Sequence, residues 1–104
     1  MIKYNLIKLQ GTVNEMRAVI TVVGKDMVGI LAKISGMCAE YSVNVIEVSQ
    51  SILQEMFCMI MLVDVSKCTI DFPELTKKLS DEGDKLGLSV HAMHEDIFNT
   101  MHHI

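Results

Sequence analysis

A chain of 104 residues, half of them apolar and only one a proline, has the size of one domain with one core and little room for disordered linkers. Its formal net charge of −4 and scattered basic residues deny it the basic face that nucleic-acid binding needs. The longest unbroken apolar run, Met56 to Val63, is eight residues, against the roughly 20 that span a bilayer.

Residues 1–15 read as an N-terminal extension. Ile2, Tyr4 and Leu6 alternate with Lys3 and Asn5 as an exposed strand would, the phase breaks at Ile7, and Gly11-Thr12 reads as a turn. Lys3 and Lys8 are not followed by a sustained apolar region, so no secretory signal is read there. The domain proper is expected over residues 16–104.

Arg17 to Val23 reads as a strand, with Ala18, Ile20 and Val22 on one side and Val19 and Val23 on the other. A loop through Gly29 then opens a helix on which Ile30, Ile34, Met37, Cys38 and Tyr41 share a face, Leu31 widening it. That helix is expected to end near Ser42. In the second strand Ile46, Val48 and Ile52 alternate against Glu47, Ser49 and Ser51, which predicts one face toward a core.

Gln54-Glu55 predicts a hairpin turn, and Met56 to Val65 a third strand that is apolar on both faces and wants cover on both. Asp71 stands where an N-cap would, Pro73 falls in the first turn, and Phe72, Leu75, Leu79 and Leu86 face inward along a second helix closed by Gly87. Leu88 to Glu95 reads as a fourth strand. Asp96 to Ile104 reads as a short terminal helix with Ile97 and Met101 on one side.

The order βαββαβ predicts an α+β, ferredoxin-like sandwich: a four-stranded antiparallel sheet with two helices on one face. The other face is expected to have no cover of its own. With the third strand apolar on both sides, burial against a second copy follows as the simplest expectation.

A strand that hands the chain to a helix through glycine leaves backbone N–H groups able to receive a small anion. Gly29 therefore has two readings: close approach of a ligand carboxylate, or a backbone that packs tightly or takes an unusual torsion. Asp26 reads as the helix N-cap, accepting from the amides of Val28 or Gly29, or else as the partner of a ligand ammonium; the preference of Asp for caps favours the first. Asn44 could read an amino acid through its amide or cap backbone at a strand edge.

The run Asp26-Met27-Val28-Gly29-Ile30-Leu31, continuing through Ile34 to Tyr41-Ser42-Val43-Asn44-Val45, resembles the ACT domain family. That family shows an acidic or amide residue, two variable positions, then glycine and an aliphatic pair opening the first helix. A small/apolar/Asn/apolar tetrad then begins its second strand. The likeness runs from about Met16 to Glu95 and is nearest to small stand-alone ACT proteins and the ACT modules of a glycine-cleavage-system repressor. It implies a regulatory module that pairs and holds an amino acid where the first loop of one subunit meets the second strand of its neighbour. Carried over by position, Asp26, Gly29 and Leu31 would contact ligand from the loop, and Asn44 from the strand. Val28 departs from the proline common at that position, which loosens the loop.

Other chemistries are weaker. His91 and His94 are three apart in a strand and point to opposite faces; His102 and His103 are adjacent; C-x-x-C is absent. Cys38, Cys58 and Cys68 are an odd set, and the first two sit in apolar patterns as small core residues, which fits a reduced, cytoplasmic setting. No Ser/His/Asp or Cys/His constellation stands out. Arg17 is the one arginine, at the far end of its strand from the glycine loop, so the anion-cradling set of an acylphosphatase is missing. The expectation is a homodimeric regulatory module, not an enzyme, taking a small amino acid and a regulatory protein partner, with no cofactor, nucleic acid or membrane. A ligand-free interaction module and a metal-binding ferredoxin-like protein remain as alternatives.

Overall fold

The computed structural model describes residues 16–25 and 29–101. The readings made for residues 1–15, for Asp26 and for His102 and His103 lie outside the described residues.

Strand β1 (Arg17–Lys25) is followed by helix α1 (Ile30–Glu40), strands β2 (Asn44–Leu53) and β3 (Met56–Asp64), helix α2 (Phe72–Leu86), strand β4 (Ser89–His94) and a short helix α3 (Glu95–Met101). The sheet order is β2-β3-β1-β4, antiparallel throughout. This is the βαββαβ sandwich expected from the sequence.

Period-two alternation sets the faces. Ala18, Ile20 and Val22 of β1 stand beside Val63, Met61 and Met59 of β3, all buried. Onto this face α1 lays Ile30, Ile34 and Cys38, and α2 lays Leu75 and Leu79. Removing such a side chain from water contributes about 1.5–3 kcal/mol each, so this layer dominates the stability. Asp71 is the N-cap of α2 by backbone geometry, though its side chain makes no capping bond, and Gly87 ends the helix in the left-handed region at φ 73°. Gln54 turns the β2–β3 hairpin at φ 58°.

Two expectations change. The alternation predicted for β2 is interrupted by a bulge: Val45 faces Val63, but the next partner, Leu62, faces Glu47. Ile46 is the extra residue, unpaired and 43% exposed, and Val45 takes its place against the core with Val48. One inserted residue moves every side chain before it to the opposite face.

The second change concerns the face away from α1 and α2. Helix α3 crosses one end of it, and Val19 there is only 3% exposed. Glu95 at the start of α3 is held by Arg17 through two bonds, Nε to Oε1 at 2.9 Å and Nη2 to Oε2 at 2.6 Å. It is Phe98, not Ile97 or Met101, that meets the sheet; the latter two are exposed. This face is therefore partly roofed by the chain itself, leaving Val23 exposed and Ile60 part-exposed at the margin of the helix. Among the described residues, no helix is long and apolar enough to cross a membrane.

Candidate functional site

β1 delivers the chain to the end of the sheet where Lys25 faces Met56. Helix α1 restarts at Ile30, with Gly29 as its N-cap at φ 87°, ψ 8°. Among the described residues a β-carbon built there meets nothing within 4 Å, and the left-handed torsion is what favours glycine. The unusual torsion read for Gly29 is present.

By backbone geometry the N-cap position of α1 belongs to Gly29, which has no side chain to donate or accept; Asp26 itself lies outside the described residues. The carbonyl of Gly29 accepts the first helical bond, from the Lys33 N–H at 2.9 Å. The amides of Ile30, Leu31 and Ala32 then have no acceptor within the helix, no acidic residue lies in the first turn, and no capping side chain is described. Such a terminus carries a partial positive charge. Leu31 is 36% exposed on that turn, so it stands at the site rather than widening the buried stripe.

Asn44 is the first residue of β2, exposed, and among the described residues its amide makes no hydrogen bond. It lines a small recess of about 180 Å³ with Ser42, Asp64, Ser66 and Lys67. Its partner in register is Asp64, which in turn faces Arg17. Gly29 and Leu31 therefore stand at the Lys25 end of the sheet and Asn44 at the Arg17 end. One chain does not bring Gly29 and Leu31 together with Asn44.

Two other recesses lie elsewhere. A groove of about 470 Å³ runs between α1 and α2, floored by Gly36 and crossed by the Lys33–Glu82 ion pair at 3.2 Å. A cavity of about 250 Å³ lies under α3, walled by Val19, Ile60, Leu62 and Phe98, with Glu47, Ser49, Asn99 and Glu95 at its polar edge. Neither was read from the sequence. Glu47 and Ser49 were legible as the polar side of β2, but nothing local marks Phe98 as their roof.

The histidines divide as the spacing required: His91 faces Thr21 on one side of the sheet and His94 faces Ala18 on the other. His94 stacks on Phe72 with ring centres 4.3 Å apart, and His91 bonds Ser89 at 3.1 Å. Among the described residues no three His, Cys, Asp or Glu side chains come together to hold a metal ion. Cys38 is a core residue whose thiol is pushed up from 9.0 to about 11 by burial, with neighbouring Cys68 adding to the effect. Cys58, read as a core residue, is only half-buried, on the face opposite α1 and α2.

The architecture is that of a ferredoxin-like α+β sandwich whose first helix opens at Gly29 in the left-handed region. The family model described as the ACT domain matches residues 16–93, and the chain belongs to the ACT domain family. It is 45% identical over 89 residues to a UPF0237 protein of Clostridium acetobutylicum, covering 86% of this chain and all of that one. Among solved structures, it is similar to an ACT domain protein from Streptococcus pneumoniae at TM-score 0.72 and 39% identity, over 82% of this chain and 96% of that one. A putative glycine cleavage system transcriptional repressor shares the fold at TM-score 0.68 and 21% identity, over 79% of this chain and 47% of its own.

Proposed function

We propose that this chain is a regulatory module, not an enzyme, that binds an amino acid or a close relative between two copies of itself and signals through a protein partner. The observation that carries the reading is the separation of the candidate residues. From Arg17 to Lys25 is eight residue steps, about 26 Å at ~3.3 Å per step. No free amino acid reaches from Gly29 to Asn44 across that span.

β2 is an edge strand, and edge strands are open to pairing. Antiparallel pairing of β2 with its own copy about a twofold axis would set Asn44 of one protomer beside the hairpin end of the other. The amides of the first turn of α1 would take the ligand carboxylate, Leu31 would pack on its side chain, and the Asn44 carbonyl would accept from its ammonium. Asp26, from the same loop, is the further acceptor that the family resemblance offers for the ammonium.

Thermal melts across the common amino acids, with light scattering for mass, test this reading. A ligand that binds the native state at 100 times its dissociation constant adds about 2.7 kcal/mol, a shift easily read. A melting temperature unmoved by every amino acid at millimolar concentration would refute the sensing reading. A monomer at micromolar concentration would refute the shared site. The ligand-free interaction module draws support from the hairpin tip, where Leu53 is 70% exposed beside exposed Ile52 and Met56. It predicts a dimer whose melting no amino acid changes.

A further inference from the structure

We propose that the cavity beneath α3 is a second ligand site, on the face of the sheet away from α1 and α2, and that it takes a small organic ammonium with a short apolar or aromatic body. The floor is Val19, Ile60 and Leu62, drawn from two central strands, and the roof is Phe98. At about 250 Å³ the space falls just below the ~300–1,000 Å³ of drug-sized sites, which sets the occupant's size.

The charge sets the sign of the ligand. Two carboxylates border the cavity, Glu47 and Glu95. Glu95 is neutralised by the two-bond contact with Arg17, both side chains about four-fifths buried. Glu47 has no ion-pair or hydrogen-bond partner among the described residues. The cavity edge is therefore acidic by one unmatched charge, with Ser49 and Asn99 beside it as neutral polar groups. A cation with an apolar body gains both the walls and Glu47, whereas a carboxylate is repelled. This polarity is opposite to that of the α1 terminus, where backbone amides favour an anion.

The test uses the full chain and three probes of similar size, 2-phenylethylamine, 2-phenylethanol and 3-phenylpropionate, titrated into isotopically labelled protein by NMR. The amine is expected to shift Val19, Ile60, Leu62 and Phe98 saturably, the alcohol more weakly and the carboxylate least. Glu47→Gln should weaken the amine about threefold to fivefold, the scale of a solvent-exposed ion pair, and Glu47→Lys should reverse the order of amine and carboxylate. Phe98→Ala should abolish all three. Equal binding of amine and carboxylate, no saturable shift at millimolar amine, or shifts clustered at Gly29 to Leu31 would each overturn the proposal. Because the two sites share no residue, failure here leaves the amino-acid reading untouched.

Discussion

Replacing Gly29 with alanine tests the geometry on which the loop site depends. At φ 87° an added methyl group crowds its own backbone, a strain of about 1–2 kcal/mol for an L residue. Alanine also narrows the unfolded ensemble, which offsets about 0.4–1 kcal/mol. A net loss of about 1 kcal/mol is expected. Unfolding entropy near 2.1 cal/mol/K per residue gives about 0.2 kcal/mol/K for this chain, so the melting temperature should fall about 5 °C. Gly29→Asn should recover part of the loss, since Asn tolerates the left-handed region. Gly87→Ala, at φ 73° beyond α2, should lose a similar amount and serves as a control for the same torsional strain at a different helix end. The assay is a thermal melt by circular dichroism, with and without the amino acid that shifts the wild type most. A Gly29→Ala chain as stable as the wild type would refute the left-handed helix start.

Three further outcomes are expected. A double-mutant cycle on Arg17→Ala and Glu95→Ala should return a coupling of about 1 kcal/mol, because the pair is bidentate and mostly sheltered; additive losses would contradict that. At pH 8 a thiol reagent should modify Cys58 and Cys68 ahead of Cys38, whose thiol titrates only near 11. The folded state then retains a proton that the unfolded chain releases above 9.0. The Cys38 contribution to stability is thus intact below pH 9 and lost as pH rises toward 11, which urea melts across that window would read. Ile46→Glu with Ile52→Glu alters two exposed β2 residues, so stability within the monomer should change by under about 0.5 kcal/mol. The same pair should weaken self-association at least about tenfold by light scattering, as like charges meet at the paired edge.

The fold was legible where periodicity and breakers agree. Ala18-Ile20-Val22 against Met59-Met61-Val63 follows from alternation alone, and Asp71, Pro73 and Gly87 bracket α2 by known backbone preferences. Ile46 was misplaced because a bulge is a property of two strands, and a single strand's alternation carries no trace of it. Phe98 was missed because the apolar pair Ile97 and Met101 dominated a helix too short for a reliable stripe. At the site, Gly29 and Asn44 stood out by residue type, and the left-handed torsion is what favours glycine at Gly29. Their separation along the sheet was hidden until register put Asn44 beside Asp64 and Arg17 at the far end. That separation turns a local motif into an argument for a second subunit.

The shared site is tested most directly by complementation between two defective chains. Leu31→Arg damages the helix-start half and Asn44→Ala the strand half, and each alone should abolish amino-acid binding by calorimetry. Mixed in equal amounts and allowed to exchange, half of the dimers would carry one intact site of two, restoring about one quarter of the wild-type sites at wild-type affinity. Binding retained by either single variant, or no sites regained on mixing, would contradict a site built from Gly29 and Leu31 of one protomer and Asn44 of the other.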